Sequence, residues 1–312
     1  MAELAVIIVT WNVRDLVLAA LQSLLADLDS SGMMADVYVV DSASSDGSAE
    51  AVRAAFPQVT VFASAENLGF ARANNLALRA IGFEKSDAAG LPEAVYLLNP
   101  DTITQRGATR ALYKALLAQA DVGLVGARLC YEDGSFQHSA FHFPGLRQLW
   151  VEFFPTPGRF IEGEFNGRYP RASYESGQPF PVDFPLGATM MLRREVIQQT
   201  GLFDEQFFMY CEEIDWAWRI HKAGWRVLCV PAARVVHLAG QSTRQIRPQS
   251  IVNLWTSRLR LFRKHYPAWK YHAARLLVQA GMRRRLEQAR RDGAEQPLLQ
   301  AYRTIYEQAR RP

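Results

Sequence analysis

The first 130 residues alternate short apolar runs with stretches of helical periodicity, and that alternation limits the possible folds more than any other feature of the chain. LAVIIVT (4–10), DVYVVD (36–41), VTVFA (59–63), AVYLLN (94–99) and VGLVGARL (122–129) read as buried strands. Between them, residues 14–28 carry Leu16, Leu18, Leu21, Leu24, Leu25 and Leu28 at helical spacing, and helices are also expected near 47–56, over 70–81 and near 105–119. Strands alternating with helices in this way predict an α/β domain, a mostly parallel sheet with helices on both faces. Residues 131–180 change character: rich in Phe, Pro, Gly and Tyr and weakly periodic, they predict a hairpin near YEDGSF and then a long excursion. A stretch of that length without regular structure is usually functional or mobile. Order returns at VDFPLGATMMLRREV (182–196), a strand-like run, then a helix from Glu212 to Ala223 and a strand at WRVLCV (225–230). From Pro248 onward only helices are expected.

Composition removes several classes. With 49% hydrophobic and 21% charged residues in 312, the chain is neither disordered nor fibrous and has ample length for a core. Cys130, Cys211 and Cys229 lie far apart, which excludes a disulfide scaffold and a cysteine zinc site and suits a reducing, cytoplasmic compartment. The N-terminal MAELAVIIVTWNVRD lacks a basic flank and reads as a strand, not a signal peptide. No run approaches the roughly 20 apolar residues that cross a bilayer. Charge is uneven. Residues 245–312 hold fifteen Lys and Arg against four Asp and Glu, whereas the preceding 244 hold 20 basic and 27 acidic residues. A mildly acidic body with a basic tail suits an anionic surface or partner.

In an open parallel sheet, ligands bind at the carboxyl ends of the strands. Those ends are polar here: Thr10-Trp11-Asn12, Asp41 within VVDSASSDGS, and Asn99-Pro100-Asp101-Thr102. One Asp in such a place is more often a turn or helix cap, and Ser44-Ser45-Asp46 do resemble a cap. Two Asp after two apolar strands favour carboxylates that meet across one cleft. Neither a G-x-G-x-x-G dinucleotide fingerprint nor a G-x-x-x-x-G-K-[ST] phosphate loop follows strand one. A phosphorylated ligand would therefore be held by side chains and a metal.

The series VTWN, VVDSASSDGS, ENLGFARANN, YLLNPDT, PLGATMMLRREV, GLFDEQFFMYCEEIDWAWR and a later His237, spread over about residues 4–240, resembles glycosyltransferase family 2, in particular its rhamnosyltransferase-like branch. Any one of these motifs alone would be weak; their order makes the likeness specific. The resemblance implies a GT-A fold over 1–244, with a Rossmann-like nucleotide half (about 1–130), an acceptor half (about 131–244) and a basic helical extension at 245–312. It implies inverting transfer of a sugar, with L-rhamnose from dTDP-L-rhamnose the best match, from a pyrimidine nucleoside diphosphate donor to a saccharide acceptor in cell-surface glycan synthesis. Lipid-linked saccharides are frequent acceptors in this branch. By the same resemblance Thr10 and Asn12 lie near base and ribose. Asp41 accepts a hydrogen bond from the pyrimidine N–H, a task suited to an acceptor-only group. Asn67, Gly69, Arg72 and Asn74 flank the diphosphate and sugar, and Asn99 is a further nucleotide-binding residue, although Arg72 reads nearly as well as a surface arginine.

The family usually carries Asp-x-Asp where this chain has Asn99-Pro100-Asp101. The resemblance makes Asp101 the ligand of a divalent cation, magnesium or manganese. It adds His237, an imidazole being more natural on manganese, against a commoner reading as a buried or capping histidine. The base is sought in Cys211-Glu212-Glu213-Ile214-Asp215-Trp216. An acid-rich first turn explains one or two of these acids, since helix N-termini favour negative charge. It does not explain acids set between FFMYC and IDWAW. The family's base position maps onto Glu213, a Glu where an Asp is usual, with Glu212 and Asp215 as alternatives; Asp215 also stands four residues before Arg219 on one helix face. Gly187 and Ala188 are expected close to the donor sugar, with a strand bulge as the plain reading. Trp216 is a candidate for the sugar site and Trp11 for stacking near the base, although either is more often core.

The tail interleaves Trp255, Tyr266, Trp269 and Tyr271 with Arg283-Arg284-Arg285 and Arg290-Arg291. Basic helices with aromatic residues read as interfacial anchors, here on the inner face of the membrane, and about equally as a solvated face on helices that pack elsewhere. Two rival readings are a sugar-phosphate nucleotidylyltransferase and a nucleic-acid binder. The first wants a Gly- and Arg/Lys-rich loop after strand one, where Trp11-Asn12 stand. An acidic body argues against the second.

Overall fold

The computed structural model describes residues 3–84, 90–238 and 247–311. Strands β1 (Leu4–Thr10), β2 (Ala35–Asp41), β3 (Thr60–Ala63) and β4 (Ala94–Leu98) alternate with helices α1 (Arg14–Ser31), α2 (Ser48–Ala55) and α3 (Gly69–Ile81). A short β5 (Thr102–Thr104), α4 (Ala108–Leu117) and β6 (Val122–Cys130) follow. The excursion then holds β7 (Phe136–Gln137), β8 (Ala140–Phe141), α5 (Leu146–Phe153), α6 (Gly158–Ile161), a 3-10 turn, α7 (Arg171–Glu175) and β9 (Phe180–Pro181). The chain continues through β10 (Phe184–Pro185), β11 (Thr189–Arg193), α8 (Arg194–Thr200), α9 (Glu212–Lys222) and β12 (Arg226–His237). It closes with α10 (Arg247–His265), α11 (Ala268–Arg291) and α12 (Gln296–Arg310).

The main sheet runs β3-β2-β1-β4-β11-β6-β12-β5, with β7 against β6 and β9 against β12. β1, β2, β3 and β4 pair in parallel. β11 enters antiparallel between β4 and β6. The predicted α/β class and mixed, mostly parallel sheet are therefore found. Both faces are covered, as near-continuous apolar strands require. On one face Val17, Leu21, Leu24 and Leu28 of α1, spaced as one helical stripe, bury with Val6, Ile8, Leu112 and Leu116. On the other, Ala77 and Leu78 of α3 join Ile214, Trp216, Ala217 and Ile220 of α9.

Two local expectations change. The run 182–196 is broken: β10 ends at Pro185, residues 186–188 turn, and the chain becomes helical at Arg194. The Arg193 guanidinium donates to the carbonyls of Val122 and Gln119, and Val196 and Ile197 bury as a helical pair instead of alternating. The strand at 225–230 runs on to His237, with a register shift between Val230 and Arg234 where Pro231 cannot supply a ladder N–H. That extension carries His237 to β5, opposite Thr102.

The expected helices of the tail are present, and the interleaved aromatic residues divide into two sets. Trp255, Phe262, Val278, Met282 and Ile305 bury with Leu149 and Phe153 of α5 in a third core. α11 approaches α5 so closely that a Cβ on Gly281 would stand 2.1 Å from the Phe153 ring. Trp269 and Leu276 stay outside, 67% and 65% exposed. Among the described residues no helix is long and apolar enough to cross a membrane. The division expected between 244 and 245 lies outside the described residues.

Candidate active site

A cavity of about 260 Å³ opens at the carboxyl ends of β1 and β4. Thr10, Trp11, Ser42, Asn99 and Asp101 form one side; Gly187, Ala188, Tyr210, Glu212 and Glu213 face them, with His237 beside Asp101. Residues more than two hundred positions apart thus share one chamber, at the place where strand-end ligands bind.

The first side is built by the β1 and β2 termini. Thr10 pairs with Asp41 in the parallel register. Both are buried. Asp41 Oδ2 accepts the Ser44 N–H at 3.1 Å, while Asp41 Oδ1 and Thr10 Oγ1 have no partner among the described residues. A buried acceptor without a donor is costly unless a ligand or water supplies one. Asn12 ties the two strand ends together: its N–H donates to Ser44 Oγ at 2.9 Å and its Oδ1 accepts the Ser45 N–H at 2.7 Å. It lies outside the cavity wall. The expected cap is also present, Asp46 accepting the Ser48 N–H at the start of α2.

Two expected ligand residues point elsewhere. Arg72 is exposed and pairs with Glu66 at 2.9 Å. Asn74 is buried and donates to its own helix at the Phe70 carbonyl. Both sit on α3 beyond the turn that reaches the cavity, whereas Asn67 and Gly69, expected in the same segment, do line it together with Phe70. Gly69 is required there. Its φ is +69°, and a Cβ would stand 2.2 Å from the Phe208 carbonyl oxygen, which accepts the Phe70 N–H at 2.9 Å.

Among the described residues four non-glycines have left-handed φ: Asn12, Ala43, Tyr210 and Cys211. All flank this cavity, at the β1 and β2 ends and just before the acids. Each such residue costs about 1–3 kcal/mol and persists only where its surroundings hold it.

α9 begins at the acids. Glu212 is buried, and its Oε2 has no partner among the described residues. Burial and then the neighbouring Glu213 charge push its carboxyl well above the ordinary range. Glu213, partly exposed at the wall, is pushed up to about 7 by burial, against backbone hydrogen bonds and the Arg258 charge. Gly187 lies against it: a Cβ there would meet Glu213 Cγ at 3.5 Å, an ordinary contact. Close approach at 187–188 is thus to the acids as well as to the chamber. A carboxylate that titrates near neutrality at a cavity wall is equipped to accept a proton.

Asp215 and Trp216 do not reach the chamber. One helical step turns Asp215 to the far side, where it is wholly buried. It accepts from His265 Nε2 and Lys264 Nζ at 2.7 Å each, and from Arg219 Nε at 3.0 Å, the i+4 pair that the spacing predicts. Burial alone would raise its carboxyl; the His265 and Lys264 hydrogen bonds and the Arg219 charge hold it at about 2 instead. A group so stabilised as an anion is a poor base. Trp216 is fully buried, donating Nε1–H to Thr200 Oγ1 at 2.9 Å, and belongs to the core.

Asp101 and His237 stand side by side, Oδ1 to Nε2 3.5 Å, both nine-tenths buried at the chamber wall. His237 Nδ1 has no partner among the described residues. A carboxylate and an imidazole suit manganese and tolerate magnesium. No group of three or more His, Cys, Asp or Glu among the described residues could hold a metal. The residues therefore fit a cation that takes two protein ligands and completes its shell from phosphate oxygens and water.

Ser42, Phe70, Leu186, Met209 and Tyr210 also line the chamber and carry no signal of their own in the sequence. Ser42 follows a candidate acid in a turn-like segment, and Met209 and Tyr210 sit in an apolar run that reads as core. The backbone reversal at 210–211 exposes them.

Residues 2–266 match the family model described as "Glycosyltransferase like family 2", a span that takes in all of α10. The N-acetylglucosaminyl-diphospho-decaprenol L-rhamnosyltransferase of Mycobacterium tuberculosis is 31% identical over 215 residues, covering 66% of this chain and 67% of that protein. Rhamnosyltransferase WbbL of Escherichia coli is 29% identical over 180 residues, 56% of this chain and 63% of that one. Among solved structures, the mannosyltransferase PcManGT from Pyrobaculum calidifontis in complex with GDP-Man and Mn2+ aligns with a TM-score of 0.53 at 20% identity, over 99% of this chain and 84% of that chain. GalNAc-T7 with UDP, GalNAc and Mn2+ gives 0.53 at 17%, over 76% of this chain and 44% of that chain.

Proposed function

Since the chain belongs to the glycosyltransferase-like family 2 and is a glycosyltransferase of GT-A fold, we propose that it transfers L-rhamnose, with inversion, from dTDP-L-rhamnose to a saccharide acceptor carried on a lipid diphosphate. The observation that carries this reading is the single chamber in which Asp101 and His237 face Glu212 and Glu213. It separates a place for a charged leaving group from a place for a base, as a single displacement requires.

The donor's pyrimidine ring lies at the β1 and β2 ends, its N–H donating to Asp41. Asn67, Ser42 and Asn99 stand along the path from there to Asp101. Asp101 and His237 would hold the cation. When bound, that ion neutralises charge on the departing diphosphate. Glu213 takes the proton of the acceptor hydroxyl as its oxygen attacks the anomeric carbon from the opposite face, and the bond to the diphosphate breaks. Glu212, held protonated by burial and by Glu213, leaves one negative charge rather than two at the wall.

Calorimetric titration with dTDP, UDP, GDP and ADP, with and without manganese, tests the donor assignment. The expected result is binding of dTDP that is at least tenfold tighter with manganese, weaker binding of UDP, and none of GDP or ADP. Asp41→Ala should lower the dTDP affinity about tenfold, since a hydrogen bond to a charged group contributes roughly 1.5–3 kcal/mol. Equal binding of purine and pyrimidine diphosphates would sink the assignment.

We also propose that the protein is peripheral on the inner face of the membrane, where the lipid-linked acceptor is met. The outer face of α11 supports this: Trp269 and Leu276 are exposed, with Arg283 and Arg284 further along the same helix. The double variant Trp269→Ser, Leu276→Ser should bind phosphatidylglycerol vesicles about tenfold more weakly in sedimentation, with dTDP binding unchanged. Equal sedimentation of the variant and the parent would remove this face from the account.

A further inference from the structure

The segment that presents the acids is held from two directions. Tyr210 and Cys211 are consecutive left-handed residues, with φ of 69° and 66°, immediately before Glu212 and Glu213. Neither is glycine, so the reversal does not rest on local preference. On the donor side, Phe208 O accepts the Phe70 N–H. On the opposite side, one helix of the C-terminal extension reaches the segment at two places. Ser257 of α10, itself buried, donates its hydroxyl to Met209 O at 2.8 Å. Seven and eight residues further along, Lys264 and His265 both reach Asp215 Oδ1 at 2.7 Å. The His265 side chain is 2% exposed and stacks on Trp218 of α9, centroids 4.7 Å apart and planes 21° apart. α10 therefore grips the chain before the reversal and again after it, and Glu212 and Glu213 lie between the two grips. Glu212 on its own helix and Arg258 of α10 are the charged groups that act on Glu213.

We infer that α10 is part of the catalytic apparatus, with Ser257 and His265 as positioning residues that fix where Glu213 meets the acceptor hydroxyl. This rests on the reading of Glu213 as the base. A helix that merely packed on the domain would bury apolar side chains against it. α10 does bury Leu261 in the domain core, but it also places a buried hydroxyl and a buried imidazole on one short segment, and a buried polar group is retained only where it is satisfied. A base displaced by about an ångström loses much of its effect.

The test is dTDP release from dTDP-L-rhamnose in the presence of an N-acetylglucosaminyl-diphospho-lipid acceptor, across pH, for Ser257→Ala, His265→Leu and His265→Gln beside Glu213→Gln. Ser257→Ala and His265→Leu are expected to lower kcat at least tenfold, with the donor KM within twofold, and to move the rising limb of the kcat profile by half a pH unit or more. His265→Gln keeps an N–H for Asp215 and is expected to recover kcat to within threefold of the parent. Should His265→Leu fail to fold, Ser257→Ala alone decides. Folded variants with the parent's kcat and limb would overturn the inference, as would a loss of kcat whose limb has not moved. If Glu213→Gln itself turns over normally, the base reading falls and this inference with it; if only the α10 variants do, the base reading stands alone.

Discussion

Glu213→Gln is expected to lower kcat by about a hundred- to ten-thousandfold, the range for loss of a positioned general base. The side chain keeps its shape, so dTDP affinity should hold within twofold. The parent should show a kcat profile that rises with pH through about 7, because the competent form is the carboxylate and burial holds the proton on Glu213 up to that point. The variant should lack that limb. A second signature follows by linkage. The unfolded chain releases this proton near about pH 4.3. Between there and 7 the native state binds more protons than the unfolded one, so stability falls as pH rises through the window. Glu213→Gln should reduce that fall in Tm measured by calorimetry. If Glu212→Gln abolishes turnover and Glu213→Gln does not, the base is one residue earlier, and its proton would have to leave at higher pH.

Asp101→Ala should abolish cation-dependent turnover, a loss on the order of a thousandfold, since metal stabilisation of a leaving diphosphate contributes several kcal/mol. The same variant should bind dTDP equally with and without manganese in the calorimeter, at the parent's metal-free affinity. His237→Ala should act in the same direction more weakly, because the carboxylate remains. Manganese-dependent activity that survives Asp101→Ala would refute the metal assignment. Fold damage is a poor alternative explanation: the Leu238 N–H is accepted by the backbone carbonyl of Asp101, which alanine retains.

Residues 1–130 were legible because their strands are buried on both faces and their first helix carries one clean apolar stripe; Val6, Ile8, Leu21 and Leu24 are apolar for reasons local to each element. Asp41 and Asp101 could be singled out as acids that end two apolar strands, and Glu212, Glu213 and Asp215 as acids set in an apolar segment; His237, and the choice of Glu213 among the three, came only from the family resemblance. What periodicity withholds is the partner of each face. Asp215 reads as a third candidate base until Lys264 and His265, some fifty positions on, are seen to hold it. Arg72 and Asn74 belong to the right helix but sit on turns that face Glu66 and the helix's own backbone. Trp255 reads as an interfacial aromatic, whereas Phe153 of α5 stacks on it in a buried core. The strand β11 was visible as an apolar run, but nothing local says that it lies between β4 and β6, or that it ends at Arg193.

The antiparallel insertion of β11 sets the order in which the protein can be made. Emerging from the ribosome, β4 and β6 both lack their native neighbour, a strand about ninety residues after β4 and about sixty after β6. β6 also waits for β12, which arrives last of all the strands. Residues 1–130 are thus not a folding unit by themselves. Grafting a different second half onto them would leave two apolar strand edges unmatched unless the graft also brings its own β11 and β12. Nascent chains that pause in that interval expose those edges to one another, and unpaired apolar strand edges invite aggregation.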